Sequence, residues 1–387
     1  MTSPAPPAQR GAAAPKLGQL PGFDGMRAIA AIGVFLYHSL WRTAALRPAG
    51  RVLAHGDVGV EIFFVMSGFL VARPVVAHAV GGAKPVAFLD FWRKRIARIW
   101  PAYLAALLGA LVVGVGEVDG LGGWIKHGLL IQSEFADRGG TGLRVSWTLV
   151  VEVAFYAVLL PLGALVAKAP RRPHDAWVAL CLALFALGAV ALAVTSTGST
   201  AVPLRVLPPF LPCFAAGMLL AGAEVEATTA TWAGPILRAV RRLAAQPTVC
   251  FALAVGLFIA MTVLLPAHTT APAFGLGDQR ALQSFGQVAV AFLGLAPLAL
   301  RTTEARWLEG RALVAVGGAS FGFYLWHVQV LRLVRPMLQG STAVALAGVL
   351  LALVGACAAG ELSRRCIEAP ARRLLTPTPR RSPSGGR

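Results

Sequence analysis

Residues 23–41 read FDGMRAIAAIGVFLYHSLW, an apolar run that contains Arg27 near its start and His38 near its end. The two ionisable side chains stand eleven residues apart. In an α-helix this interval returns a side chain to within about 20° of its starting face. It also separates the two by about 16 Å along the axis. Because an ionisable side chain is costly to bury in lipid, this shared stripe predicts a helix with a function.

The composition is that of a protein that crosses a membrane several times. Of its 387 residues, 57% are hydrophobic and 13% are charged, whereas soluble proteins carry about 25% charged residues. Apolar runs of about 18–22 residues recur along the chain, and this length spans a bilayer. The net charge of +18 is therefore attributed to Lys and Arg on the cytoplasmic side. No nucleic-acid partner is expected, since no basic soluble domain with interleaved aromatic residues is present.

The five cysteines do not predict a metal site or a disulfide framework. None forms a CxxC pair, and most lie in apolar runs, where cysteine acts as a small buried hydrophobic residue. We therefore expect no metal cofactor.

Ten helices are predicted, at residues 26–45, 58–79, 99–118, 146–167, 176–195, 206–222, 248–266, 283–300, 312–337 and 341–360. With the N-terminus inside, 25 of the 35 Lys and Arg residues fall in inner segments, which predicts that both termini are cytoplasmic. The fold class is an all-α polytopic protein of the cell membrane. It comprises a disordered segment over 1–20, one transmembrane domain over 21–373 and a disordered basic tail over 374–387.

Four ionisable side chains are predicted at a similar depth in the outer half of the membrane. They come from four different helices and are His38, Glu61, Glu152 and His327. Because each would be costly facing lipid, a shared polar cavity is expected. Histidine is suited to general-base work near neutral pH, and a carboxylate on its second nitrogen would fix its tautomer. The alternative is that these residues are hydrogen-bonded packing or capping residues.

A basic cluster opens the third predicted helix, in the run FWRKRIARIWPAY over residues 91–103. Its cations are Arg93, Lys94, Arg95 and Arg98. A guanidinium group matches phosphate oxygens in a way that a solvated lysine does not. An ordinary basic flank or a lipid-headgroup contact is the alternative. Two positions count against that alternative and keep a phosphate site open: Arg98 falls within the helix itself, and Arg27 lies at the same membrane level.

A ligand with a polyphosphate head and a long thin arm would join the two sites. Acyl-coenzyme A has this shape, with its phosphates at the arginines and its thioester near His38. From about residue 20 to 373, the chain closely resembles the integral-membrane acyltransferase family 3, the sugar O-acyltransferases. The elements that match the family pattern are residues 23–38, 59–69, 93–103, 147–156, 324–327 and 368–370.

The resemblance implies an acyl-CoA-dependent O-acyltransferase that acts on a sugar hydroxyl. It implies that His38 is catalytic and acts on the acceptor hydroxyl, and our mechanistic hypothesis adds Glu61 as the residue that orients it. It assigns acyl-CoA binding to Arg27, Arg93, Arg95 and Arg98, and substrate binding to Trp147, Glu152, Tyr156, Tyr324 and His327. An acylated-histidine intermediate is the mechanistic alternative to direct transfer.

Two residues depart from the family pattern. Glu61 stands where the family has aspartate, and Thr148 stands where it has serine. The longer glutamate leaves its distance to His38 open.

The resemblance also implies a range of acceptors: cell-surface glycans, lipid-linked saccharides and sugars on macrolide-type natural products. The Ala-, Gly- and Arg-rich composition is typical of a GC-rich bacterial genome, which favours a glycosylated natural product. Two other classes stay open, a polytopic exporter of a lipid or small molecule and a non-catalytic scaffold. Release of CoA that depends on a sugar acceptor would exclude both.

Overall fold

The computed structural model describes residues 20–40, 42–80, 82–132, 142–169, 173–196, 206–229, 234–265 and 277–376. These residues contain helices and no strand, so the all-α prediction is confirmed. The α-helices are α1 (Phe23–Leu40), α2 (Gly50–Ala54), α3 (Val58–Ala79), α4 (Phe88–Val113), α5 (Gly120–Leu129), α6 (Trp147–Ala167), α7 (Pro173–Ser196), α8 (Leu207–Thr229), α9 (Pro235–Ala244), α10 (Pro247–Leu264), α11 (Gly277–Ala299), α12 (Arg311–Gly318), α13 (Ser320–Leu333), α14 (Arg335–Leu338), α15 (Thr342–Ser363) and α16 (Ala369–Leu375).

Eight of the described helices are long and apolar enough to cross a membrane, and the bent pair α12–α13 is a further candidate. These candidates correspond to nine of the ten predicted helices. The other prediction, 26–45, corresponds to α1, which ends at Leu40 and is not among the candidates. A polytopic helical protein is therefore confirmed, whereas the number of spans and the cytoplasmic position of both termini stay predictions.

Two of the predicted boundaries are wrong in a way that matters for the site. Helix α4 begins at Phe88 rather than at 99, because the basic segment is itself helical and buries Phe91 and Ala97. The ninth predicted helix, 312–337, is broken into α12 and α13, which meet at an angle of 78°. The predicted disordered segments lie outside the described residues except for Leu20 and residues 374–376, of which Leu374 and Leu375 belong to α16.

Helix α3 lies at the centre of the bundle and packs against α1, α6, α8 and α11. Glycines allow α1 and α3 to touch through their backbones. Gly59 lies against the Ala30 carbonyl, and Gly33 lies against Gly56, so that a Cβ at Gly59 would collide. Moving three residues forward along α1, from Ala30 to Gly33, corresponds to moving three residues back along the second segment, from Gly59 to Gly56 just before α3. The two helices are antiparallel, and this contact fixes their register.

A buried ion pair joins α3 to α8. The Arg73 guanidinium donates from Nε and Nη2 to the two oxygens of Glu224, at 2.5 and 2.6 Å. Arg301 Nη2 lies 3.4 Å from the same carboxylate. Removing one partner of a buried pair typically costs about 3–5 kcal/mol, because the other charge is left uncompensated.

Candidate functional site

Two histidines meet at one end of the bundle. His38 lies in the last turn of α1 and is half-buried, whereas His327 of α13 is fully buried. His327 Nε2 lies 3.2 Å from His38 Nδ1, and the ring centroids are 5.0 Å apart. The structure thus brings together two residues that are 289 positions apart in the sequence.

The hydrogen bonds of this pair determine which nitrogens carry protons. His327 Nδ1 lies 2.6 Å from the Tyr324 carbonyl; a carbonyl only accepts, so Nδ1 donates. In the neutral ring, His327 Nε2 then carries a lone pair and accepts from His38 Nδ1–H. His38 Nδ1 also lies 3.0 Å from the Val34 carbonyl, which requires the same tautomer. The lone pair of His38 is therefore on Nε2, the nitrogen that can act as a base.

Tyr324, whose carbonyl bonds His327 Nδ1, is itself held in place by its side chain. Its hydroxyl donates to the Val145 carbonyl at 3.2 Å and accepts from Thr148 Oγ1 at 3.2 Å. Its ring contacts Phe63 edge-on, with centroids 6.2 Å apart. Val145 lies in the short 3-10 helix Arg144–Ser146, Thr148 in the first turn of α6 and Phe63 in α3. Three elements therefore fix the residue whose carbonyl orients His327.

A cavity that is partly open to solvent begins at Tyr324 and extends between α1, α3, α4 and α6. Thr148, which bonds the Tyr324 hydroxyl, lines it together with Ser320, and Arg27 and Arg98 also line it. Between them the wall is formed mostly by apolar side chains of α3. His38 itself is not among the described residues that line the cavity. The cavity therefore joins a basic site to the residue that supports the histidine pair.

A carboxylate with two hydroxyl partners lies in the same cavity as the arginines. Ser67 Oγ donates to Glu152 Oε1 at 2.7 Å, and the Tyr156 hydroxyl donates to the same oxygen. Glu152 is close enough to Arg27 and Arg95 for electrostatic interaction with both. The carboxylate and the cations thus form one charged group.

The four predicted acyl-CoA arginines divide into two sets. Arg27 and Arg98 line the cavity, and Arg95 lies over the Tyr156 ring at 5.2 Å. Arg93 is exposed and stands about 200° around α4 from Arg95. Its predicted role in donor binding has no support from its position.

Comparison with known proteins identifies the family. The sequence pattern of an acyltransferase domain, that of acyltransferase family 3, matches residues 20–361. The chain belongs to acyltransferase family 3. It is 28% identical over 394 aligned positions to acyltransferase MdmB of Streptomyces mycarofaciens, covering 93% of this chain and 94% of that protein. It is 24% identical to the O-acetyltransferase OatA of Staphylococcus aureus, covering 92% of this chain and 57% of that protein. No solved structure matches.

Two carboxylates of the family's motifs do not lie where the sequence predicted. Glu61 was expected in a common layer with His38, but the α1–α3 register puts Glu61 level with Ala28. That level is ten residues, or about 15 Å, from the level of His38. Glu152 was expected in that layer and lies instead with the arginines. The residue that contacts His38 is His327.

Glu61 has its own buried surroundings near the start of α3. It is 9% exposed, and its Oε2 has no hydrogen-bond partner in the described part of the chain. Asp57, one turn earlier, accepts from Gln287 Nε2 at 2.8 Å. These contacts attach the start of α3 to α11.

Trp147 also lies behind the cavity wall. Its ring packs against Phe210 and Phe64, at centroid distances of 5.2 and 6.3 Å. Phe64 lines the cavity, whereas Trp147 is not among its described lining residues. Trp147 is thus placed to shape the wall rather than to touch a ligand in it.

Two residues that the structure joins to the candidate site were not singled out from the sequence, although both lie in the family's motifs. Ser67 forms part of the Glu152 group. Glu368 of the Glu-x-Pro element is buried, near Ser363 at 3.4 Å, and within electrostatic range of Arg98. It ends a π-helical turn, Arg364–Glu368, a feature frequent at functional sites. The motif matches were the signal that could have found both.

Proposed function

We propose that this chain transfers an acyl group from acyl-CoA to a hydroxyl of a sugar-bearing acceptor, with His38 as the general base. The proposal is carried by one observation: the oriented histidine pair lies next to a cavity whose other end is lined by Arg27 and Arg98. Membership of the acyltransferase family and similarity to an O-acetyltransferase support acyl transfer to oxygen. In this proposal the protein is a multi-pass protein of the cell membrane with both termini in the cytoplasm.

Acyl-CoA fits the cavity as a donor because it has a charged head and a narrow arm. Arg27 and Arg98 would bind its phosphates, since guanidinium groups pair well with phosphate oxygens. The arm would follow the apolar wall of α3 toward Tyr324. The axial spacing of about 16 Å between Arg27 and His38 then separates phosphate binding from the chemistry.

In the chemical step, His38 Nε2 takes the proton of the acceptor hydroxyl. The oxygen attacks the thioester carbonyl carbon, an ester bond forms, and the carbon–sulfur bond breaks. The sulfur leaves as thiolate and receives the proton from the His38 imidazolium. His327 assists by accepting the Nδ1–H hydrogen bond, which strengthens when His38 becomes charged.

Water must be kept from the thioester, because hydrolysis competes with transfer. The edge-on contact of Phe63 and Tyr324 lies at the cavity end nearest the histidines. In this proposal the pair limits the access of water to the thioester until the acceptor is bound.

The acceptor class we favour is a glycan or a glycosylated natural product of macrolide type, acetylated or acylated with a short chain. The Ala-, Gly- and Arg-rich composition supports an origin in a GC-rich bacterium, as does the similarity to a Streptomyces acyltransferase over nearly its whole length. Such a reaction would serve carbohydrate modification or antibiotic biosynthesis.

The test uses purified protein in lipid nanodiscs with acetyl-, propionyl- or longer acyl-CoA and a panel of sugar acceptors. We expect release of CoA thiol that depends on the acceptor, and an acylated product in the mass spectrum. His38→Ala should abolish both while the protein still binds acyl-CoA. Wild-type transfer by a folded, CoA-binding His38→Ala protein would contradict the assignment. Accumulation of acylated protein without an acceptor would favour the two-step route.

A further inference from the structure

Two arginines lie next to the histidine pair, at the opposite end of the cavity from Arg27. Arg42 follows α1, and its Nη1 donates to the His38 carbonyl at 2.6 Å. Arg144 directly precedes Val145, whose carbonyl accepts the Tyr324 hydroxyl. A guanidinium group therefore lies beside His38 on the α1 side of the reaction centre, and another belongs to the residue directly before Val145 on the α6 side.

The two positive charges lie within electrostatic range of each other, and Arg42 is in direct contact with His38. Burial, and next the charge of Arg144, lower the pKa of Arg42. The charge of Arg42 also reaches His327. In the described part of the chain, no ion pair with a carboxylate involves either arginine. A pair of like charges without an acid is unfavourable alone, and an anion between them would relieve the repulsion.

Neither arginine belongs to the donor-binding group. The cavity contains Arg27 and Arg98 at its other end, and Arg42 and Arg144 are not among its described lining residues. The start of α6, a helix of 21 residues, adds the positive end of its dipole beside Arg144. Arg42 and Arg144 thus stand apart from the donor-binding arginines, at the end of the cavity nearest the histidine pair.

We infer that Arg42 and Arg144 form a site for an anionic group of the acceptor, a phosphate or a carboxylate carried near the sugar hydroxyl that is acylated. This assignment rests on the proposed function, since it names the acceptor class of the same reaction centre. The two guanidinium groups fix the acceptor so that its hydroxyl reaches His38 Nε2. A lipid-headgroup phosphate has the same chemistry, and the experiment separates the two sources.

The site is tested first without any acyl donor. The protein is placed in nanodiscs of phosphatidylcholine, and modification of His38 by diethyl pyrocarbonate is followed by peptide mass spectrometry. Inorganic pyrophosphate, the probe anion, should slow this modification by about fivefold or more. Arg42→Gln with Arg144→Gln should raise the half-protective concentration at least about tenfold, because charge-assisted hydrogen bonds are lost.

Two control variants and one further test variant accompany this measurement. Arg47→Gln with Arg51→Gln removes the same amount of charge from two exposed positions between α1 and α3. This variant should leave the protection of His38 unchanged. Arg98→Gln should also leave it unchanged, since that residue belongs to the other site. The exposed Arg144→Gln single variant covers the case in which the double variant does not fold, and it should weaken protection by itself.

Several results would overturn the assignment. Protection that persists in the double and single variants would show that pyrophosphate does not bind there. Protection that is lost only in Arg98→Gln would show that it acts through the donor site. If His38 is protected by phosphatidylglycerol nanodiscs alone, and pyrophosphate has no effect in phosphatidylcholine, a lipid headgroup occupies the site.

A second measurement connects the site with catalysis. Acceptor pairs that differ only by a phosphate or carboxylate are compared, and the anionic member should have the lower KM. That preference should disappear in the double variant, while the KM for the donor changes little. Equal preference in wild type and variant would contradict the proposal. If His38 protection depends on the two arginines but no sugar is acylated, the anion site stands and the proposed function fails.

Discussion

Replacing His327 by phenylalanine tests whether it orients the base or only fills space. The imidazole ring of His327 is fully buried and stacks on Phe323 at a centroid distance of 6.3 Å, so an aromatic ring of similar shape preserves the packing. The variant removes the acceptor of the His38 Nδ1–H hydrogen bond. Val34 still accepts from the same proton, so the His38 tautomer is retained.

The size of the effect follows from that one hydrogen bond. Between neutral rings it contributes about 0.5–1.5 kcal/mol, and to a charged ring about 1.5–3 kcal/mol. The difference, about 1–1.5 kcal/mol, is lost only where His38 becomes an imidazolium, in the transition state. We therefore expect kcat to fall about five- to tenfold with an unchanged KM for the donor. His38→Ala should cost about 100-fold or more, because the base itself is lost.

The assay is steady-state acyl transfer by nanodisc-embedded protein, with thermal unfolding measured in parallel. His327→Phe also removes the hydrogen bond from His327 Nδ1 to the Tyr324 carbonyl, which should lower stability by about 0.5–1.5 kcal/mol. His327→Gln is the matched control, because its amide can accept from His38 and donate to Tyr324; it should recover kcat to within about threefold. If His327→Phe keeps wild-type kcat, or if His327→Gln is the slower enzyme of the two, the orienting role is wrong.

Three further outcomes are expected. Arg98→Gln should raise the KM for acyl-CoA about tenfold through loss of a charge-assisted phosphate contact, whereas the exposed Arg93→Gln should leave it unchanged; calorimetry with CoA checks both, and equal effects would contradict the division of the arginines. Glu61→Gln should leave the dependence of kcat on pH unchanged, because about 15 Å separates its level from the base; a shifted pH profile would show direct contact. Glu224→Gln should destabilise the protein by about 3–5 kcal/mol, because the buried Arg73 loses its counter-charge; an unchanged melting temperature would refute this.

The helices were predictable where hydrophobic length determined them. The prediction 58–79 coincides with α3, and 146–167 differs from α6 by one residue. Both runs are apolar and end at polar or turn-forming residues. Hydrophobicity did not predict the start of α4. The helix begins about three turns before the apolar run, with an amphipathic basic segment.

Most residues of the candidate site were predicted from the sequence, but their depths were not. Sequence reasoning counted depth from each helix start and so assigned Glu61, Glu152 and His38 to one layer. The helix ends are staggered, and the stagger between α1 and α3 is determined by backbone contacts such as that of Gly59 with Ala30. No local pattern encodes that contact, because it depends on which glycine of one helix meets which residue of another.

The partner of His38 depends on a second feature that hydropathy cannot show, the break between α12 and α13. Gly317 lies directly against the Asp24 carbonyl, where a Cβ would collide, so α12 packs tightly on the start of α1. A straight continuation would keep one crossing angle along α1. The bend of 78° instead lets α13 contact α1 again at Phe35 and His38. The same segment thus supports α1 at the end with Arg27 and supplies His327 at the end with the base. Because of the bend, one segment contacts α1 at both of its ends, about 16 Å apart, where a single straight helix would not.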